Sequence, residues 1–266
     1  LNLGDIFSQQ ADKEAAPKFD ENWLLPILTE QMEADSRKQV QETKWRASSI
    51  GGCPRYLMYQ RKGYDDNKDA KSLITLFIGT QVHEFLQGFL QKTGLLKSLE
   101  EKVRVIDIND AEGSYDGLLS HPDGEELLEI KTMNVEAYQR QLLYRKIYPK
   151  YIFQANFYML ALGVKRARFV FVNKNGLFTQ EFEKEHKGEG LNPLWFEQIL
   201  YADPKIQQAI RDRVIELDSH LVNETMPERK TVSQCSYCPV ADRCKAESKL
   251  EKAAKKAADK TSKLND

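Results

Sequence analysis

The 266-residue chain predicts an α/β protein with one main domain, and three observations carry that expectation. Apolar residues recur at helical spacing from Leu73 to Leu90, and short alternating runs fill the stretch from Val103 to Thr132. Further helical runs then follow, punctuated by prolines and turn residues. The composition, 41% hydrophobic and 30% charged, suits an ordinary folded protein. No run of about eighteen apolar residues occurs, and the first residues lack the basic-then-apolar layout of a secretory signal. A cytoplasmic location without membrane contact is the expectation. A formal net charge of -1 gives no general attraction to nucleic acid, so any such affinity requires a local groove.

In chain order, residues 1–45 are polar apart from an apolar island at Trp23 to Leu28, and suit a docking arm or short helical extension. In the first helix, Ile74, Ile78, Val82, Phe85 and Phe89 recur at spacings of four and three, which predicts one buried face with His83 at its edge. Val103 to Ile108 alternates as a strand. Gly113 to Ser120 reads as another strand, leading into the turn His121-Pro122-Asp123-Gly124, with Leu127 to Thr132 as its hairpin partner. Two helices, about Val135 to Tyr148 and Tyr151 to Leu162, part near Pro149. A second hairpin is expected from Arg168 to Val172 and Phe178 to Phe182, turning through Asn173 to Gly176. Leu191 to Val222 reads as helical with an interruption at Pro204. The Lys- and Ala-rich tail after Cys244 is a solvated helix or disordered. The expected division is an extension over 1–45, a main domain over 46–244 and a tail over 245–266, with no internal repeat.

The stretch Gly113-Ser-Tyr-Asp116-Gly, followed after the turn by Leu128-Glu129-Ile130-Lys131-Thr132, carries the chemistry. Alternate side chains of a strand share a face, so Glu129 and Lys131 project together while Leu128 and Ile130 point into a core. A carboxylate then stands beside an ammonium, on a strand paired with the one carrying Asp116. Phosphodiester hydrolysis wants this trio. Oxygen ligands such as Asp116 and Glu129 hold hard cations that polarise the phosphate and acidify a water. Lys131 would stabilise the charge growing on the phosphate. An isolated match of this kind is more often a surface hairpin with a weak cross-strand ion pair, and a lone histidine such as His83 is more often satisfied at a core border. Gln154 and Tyr158, four residues apart, share one helical face.

Taken in order, His83, Asp116, Glu129, Lys131, Gln154 and Tyr158 resemble the motif series of the RecB-like nucleases of the PD-(D/E)XK superfamily. The resemblance implies a restriction-endonuclease-like core, a mixed central β-sheet flanked by helices. It implies a metal site, Mg2+ or Mn2+, held by His83, Asp116, Glu129 and the Ile130 carbonyl, with Gln154 and Tyr158 positioning substrate. The implied activity is a metal-dependent DNA exonuclease acting on single strands or DNA ends in recombination, replication, repair or CRISPR adaptation, with DNA and proteins of those processes as partners. The alternative is a catalytically silent DNA-binding or scaffold subunit of a nuclease complex. No Walker A motif occurs, so any motor belongs to a partner.

All four cysteines fall into one pattern: Cys53 in Gly-Gly-Cys-Pro-Arg, and Cys235, Cys238 and Cys244 near the other end. Four thiolates suit either zinc or an iron-sulfur cluster, and spacing does not choose between them. The split arrangement is similar to the iron-sulfur staple of the AddB and CRISPR-adaptation nucleases, which implies a 4Fe-4S cluster, with Zn2+ as the alternative. Its expected role is a clasp between distant segments. Arg55, Tyr56, Tyr59 and Arg61, close to the first cysteine, read equally as a DNA-binding rim or as ordinary packing residues.

Overall fold

The computed structural model describes residues 24–37, 44–64, 69–105, 108 and 111–262. They form two compact units, one of residues 24–37 with 69–74, the other of 44–64 with the described residues from 75 onward. In the first, helix α1 (Leu24–Arg37) exposes Leu24, Leu25, Ile27 and Leu28, and Glu33 accepts a hydrogen bond from the Ala70 amide at 3.3 Å. The rest of the expected extension, residues 1–23 and 38–43, lies outside the described residues. No helix among the described residues is long and apolar enough to cross a membrane.

The second unit is built on a mixed sheet of β2 (Leu96–Ser98), β5 (Gly117–Leu119), β6 (Glu126–Met133), β7 (Arg166–Asn173) and β8 (Trp195–Tyr201), lying side by side in that order. Strands β6 and β7 are parallel and the other neighbours antiparallel. A smaller sheet pairs β4 (Ala111–Ser114) with β1 (Trp45–Arg46) in parallel and with β3 (Lys102–Arg104) antiparallel. Helices flank the sheets: α2 (Ala47–Ile50), α3 (Pro54–Arg61), α4 (Ala70–Lys92), α5 (Val135–Tyr144), α6 (Pro149–Leu162), α7 (Gln180–Glu185), α8 (Pro204–Val222) and α9 (Ala241–Ser262). An α/β architecture with a mixed sheet is thus observed as expected.

Strand β6 is the centre of the larger sheet and is buried on both faces, which suits its run of Leu, Ile and Met. Leu128 and Ile130 join Leu119 and Val172 under Val82, Leu86 and Leu90 of α4. Leu127 and Met133, on the opposite face with Glu129 and Lys131, join the main core around Phe157, Phe169 and Phe171. Between the parallel strands, the Asn134 side chain accepts from the Ala137 amide at 2.9 Å to start α5. Arg145 ends that helix in the left-handed region, and Pro149 opens α6 at its first turn.

Four expectations need correction. The buried face of α4 is not Ile74, Ile78, Phe85 and Phe89, which are 48%, 43%, 64% and 53% exposed. The helix has two apolar stripes, and its polar contacts choose between them. Gln87, 2% exposed, donates to the Asp116 carbonyl at 2.8 Å and His83 faces the Asp116 carboxylate, which turns Val82, Leu86 and Leu90 inward. The strand expected from Gly113 to Ser120 breaks at Tyr115 and Asp116 and serves two sheets. The Tyr115 hydroxyl shares a 2.7 Å hydrogen bond with Ser98 Oγ, and Asp116 is held by β6.

Residues 178–182 do not return as a hairpin strand. Thr179 Oγ1 accepts from the Phe182 amide at 3.4 Å and, with Glu181 and Glu183 in the first turn, starts α7. The partner of β7 is β8, inside the region expected to be helical, where the aromatic and branched residues of Trp195 to Tyr201 favour an extended edge strand. Pro204 opens α8 instead of interrupting it, behind the cap of Asp203 on the Lys205 amide at 2.8 Å. In the tail, residues to Ser262 are helical.

Candidate active site

The break between β4 and β5 leaves Asp116 at the junction of the two sheets, facing the middle of β6. Its Oδ2 accepts from the Ile130 amide at 2.6 Å, and its Oδ1 lies 3.3 Å from His83 Nδ1. Two residues of different helical turns therefore meet Asp116: Gln87 on its backbone carbonyl and His83 on its side chain. Gly79, on the same face of α4, lies close to β6: a Cβ there would sit 3.2 Å from Thr132 Oγ1, a tight contact that would require the threonine side chain to give by a few tenths of an ångström. That glycine lets α4 approach β6.

Glu129 and Lys131 project from the same face of β6, as strand alternation demands. Lys131 Nζ donates to Glu129 Oε2 at 2.5 Å. Glu129 is fully buried, and its Oε1 has no hydrogen-bond partner. Burial pushes the Glu129 carboxyl up to about 7, and the nearby Asp116 charge adds to this against the opposing pull of Lys131. For Asp116 burial is also the largest single influence and acts upward. The His83 hydrogen bond, the Lys131 charge and the Ile130 amide together outweigh it and hold the carboxyl below its ordinary value. Burial acts to lower the Lys131 pKa, but Glu129 and Asp116 reverse this and raise it, so the ammonium stays charged.

On α6 the Tyr158 hydroxyl donates to the Ser114 carbonyl at 2.7 Å, with the Gln154 side chain beside it. Gly113 makes this possible: a Cβ there would lie 2.7 Å from both the Ala47 Cβ and the Tyr158 hydroxyl oxygen. Arg46, Ser48, Lys102, Gln154 and Tyr158 line a cleft of about 310 Å3 at this point. The structure thus gathers His83, Asp116, Glu129, Lys131 and Ile130 at one point, and places Gln154 and Tyr158 around the strand leading into it. Sequence reasoning missed Gln87, which anchors the Asp116 backbone, and Tyr151, whose ring lies 5.2 Å from Lys131 Nζ. The available signals were their positions four residues after His83 and three before Gln154.

A divalent cation is the group this residue set fits. A buried carboxylate oxygen without a partner, next to a second carboxylate held in its charged form, leaves an unmet acceptor that a hard cation would satisfy. As placed, the side chains engage each other, and among the described residues no three of His, Cys, Asp and Glu already stand as a ready coordination sphere.

The four cysteines converge from both ends of the unit. Cys53 precedes α3, Cys235 lies in the short 3-10 turn Ser233–Tyr237, and Cys244 lies on α9. Burial and then the neighbouring Cys53, Cys235 and Cys244 raise the pKa of Cys238, which places the other three thiols around it, although among the described residues no three of them stand as a ready metal-binding group. The adjoining residues depart from the rim expectation. Arg55, 1% exposed, donates to both carboxylate oxygens of Glu251 at 2.9 and 3.0 Å and to the Pro227 carbonyl at 2.8 Å. Tyr59, also 1% exposed, donates to Glu247 at 2.6 Å. Both side chains are committed to fastening α3 to α9 and are closed to a passing strand. Tyr56 accepts from Gln60 at 3.1 Å, and the Arg61 guanidinium lies 4.6 Å from the centre of the Trp45 ring.

Residues 110–245 match the family model of the PD-(D/E)XK nuclease superfamily. No curated protein sequence matches the chain. Among solved structures, an alkaline exonuclease (LHK-Exo) from Laribacter hongkongensis is similar with a TM-score of 0.50 and 18% identity, over 74% of this chain and 94% of that one. The same enzyme in complex with dAMP gives 0.50 and 19%, over 74% and 94%. The protein SSO0001 gives 0.54 and 14%, over 83% and 95%. At such identities the likenesses show a shared fold. With a family match that spans half of its length and takes in Asp116, Glu129 and Lys131, the chain belongs to the PD-(D/E)XK nuclease superfamily.

Proposed function

We propose that this protein is a divalent-metal-dependent deoxyribonuclease of the RecB-like subtype that works as an exonuclease on single strands or duplex ends. The observation that carries the reading is the buried, partnerless Glu129 Oε1 beside the charged Asp116, with Lys131 as the adjoining cation. Glu129, Asp116, the Ile130 carbonyl and His83 would hold Mg2+ or Mn2+, which when bound supplies a polarised phosphate and an acidified water. The Ile130 amide fixes the direction of the Asp116 carboxylate, and Gln87 fixes its backbone. Lys131 offers its ammonium to the charge that builds on the phosphate oxygens as the P–O bond breaks. Tyr158 and Gln154 shape the wall of the cleft along which the strand enters. The structural likeness to LHK-Exo supports exonuclease action, and the dAMP bound in that enzyme supports a DNA substrate for this fold. The same reading places the protein among factors that process DNA ends in recombination, replication, repair or CRISPR adaptation.

The four cysteines hold a 4Fe-4S cluster in this reading, supported by their convergence and by the terminal Cys-x2-Cys-Pro-x4-Cys run. Anaerobic purification with metal and sulfide analysis tests it: iron with sulfide and a broad visible absorption are expected, whereas stoichiometric zinc replaces the cluster assignment. The nuclease assignment is tested with end-labelled linear and circular DNA in magnesium, manganese or EDTA, beside Asp116→Ala. Metal-dependent loss of linear DNA by the wild type alone, with circles spared, is the expected result. A folded, metal-loaded wild type that cuts nothing would falsify it and favour a DNA-binding subunit.

A further inference from the structure

Lys150 stands in the second position of α6, one turn before Gln154, and neither the motif series nor the metal site accounts for it. Its Nζ lies 4.9 Å from the centre of the Tyr151 ring, and Lys131 Nζ lies 5.2 Å from the same centre. Two ammonium groups thus share one aromatic ring at the edge of the carboxylate site. Such a pair repels itself, and the weak attraction of each ammonium to the ring does little to offset that repulsion. Lys131 is compensated by Glu129. Lys150 is not: among the described residues no carboxylate pairs with it, and its pKa is lowered by partial desolvation and then by the Lys131 charge.

The surroundings keep Lys150 where it is. Gly51, at the end of α2, leaves its backbone against the start of α6, since a Cβ there would meet Lys150 Cα at 3.0 Å and Phe153 Cβ at 2.9 Å. The Tyr148 and Tyr151 rings meet edge to face at 5.9 Å and steady the ring on which the ammonium rests. Lys150 as a residue remains exposed, with its ammonium partly desolvated. A partly exposed cation without a counter-ion, held next to the lysine that would face the reacting phosphate, is what a neighbouring phosphate of the same strand requires.

Resting on the nuclease reading, we propose that Lys150 is a substrate-positioning residue that binds the backbone phosphate adjacent to the one cleaved, with Tyr151 as the shared support that sets its spacing from Lys131. Lys150 fixes the register of the strand, and Lys131 acts on the scissile phosphate. The contact is to the backbone and so carries no base preference.

The test is fluorescence-anisotropy binding of a labelled single-stranded oligonucleotide over a range of salt concentrations, with no added divalent metal. It compares wild type, Lys150→Ala, Lys150→Arg and Lys146→Ala, the last an exposed lysine on the loop before α6. Each phosphate contact to a single strand contributes about 0.7 to the slope of log affinity against log salt. Lys150→Ala is expected to lower the slope by about that amount for every oligonucleotide sequence, Lys150→Arg to restore it, and Lys146→Ala to leave it unchanged. A Lys150→Ala slope equal to that of wild type, with the variant folded by thermal melting, overturns the inference and leaves the nuclease reading standing. A wild type that neither binds nor cuts DNA overturns both.

Discussion

Glu129 provides the sharpest prediction, because its environment ties a proton to the metal. Burial and Asp116 push its carboxyl up to about 7, whereas Asp116 stays below its ordinary value. A cation that binds the partnerless Oε1 must therefore displace a proton from Glu129 whenever the pH is below about 7, and none from Asp116 in that range. Glu129 alone contributes one proton per ion, so Mn2+ affinity falls at least about tenfold for each pH unit below 7, equivalent to about 1.4 kcal/mol per unit, and any proton that His83 must lose to act as a ligand steepens the fall. The sign for stability without metal follows from the same shift. A raised carboxyl pKa contributes stability that is fully present below the ordinary glutamate value and is lost as pH rises through about 7. Calorimetric titration of the metal-free active site with Mn2+, at several pH values and in buffers of different ionisation enthalpy, counts the released proton directly. Affinity that is flat between pH 5.5 and 7, with no proton released, would refute the assignment of Glu129 as a ligand. Glu129→Gln should abolish both the tight site and its pH dependence.

Other perturbations reach separate parts of the account. Lys131→Ala should reduce cleavage about 10²- to 10³-fold in single-turnover assays, the scale of one electrostatic contact made in the transition state; retained rates would move the catalytic cation elsewhere. Gly113→Ala brings a Cβ within 2.7 Å of Ala47 and the Tyr158 hydroxyl, and should cost about 1–3 kcal/mol in denaturant unfolding as α6 shifts from β4. Arg55→Ala removes a buried fork from Glu251 and Pro227, with an expected loss of about 2–3 kcal/mol. Glu251→Gln, altering the more exposed partner, should cost no more than about 1 kcal/mol. Equal losses for the two variants would mean that the Glu251 charge, rather than Arg55 burial and its Pro227 hydrogen bond, carries the Arg55 contribution.

The strand carrying Glu129 and Lys131 was legible because its geometry is local. A period of two puts Glu129 with Lys131 and opposite Leu128 and Ile130 whatever surrounds the strand, and Leu128 and Ile130 indeed lie in a separate core. The spacing of Gln154 and Tyr158 survived for the same reason. What failed depended on distant partners. Apolar spacing in α4 fits two different faces, and only Gln87 and His83, meeting Asp116 from 29 and 33 residues away in sequence, choose the correct one. Tyr115 and Asp116 break an apparently continuous strand because it must serve two sheets. Thr179 overrides the hairpin reading by capping a helix, and the strand character of Trp195 to Tyr201 appears only beside β7. Arg55 and Tyr59 invited a nucleic-acid reading from composition alone. Glu247 and Glu251, nearly two hundred residues later, are what bury them.

Soaking crystals in Mn2+ and measuring diffraction at the manganese edge tests the central claim most directly. An anomalous peak in contact with Glu129 and Asp116, lost in Glu129→Gln, is the predicted result. Manganese bound elsewhere, with the Glu129 Oε1 still without a ligand, would contradict it.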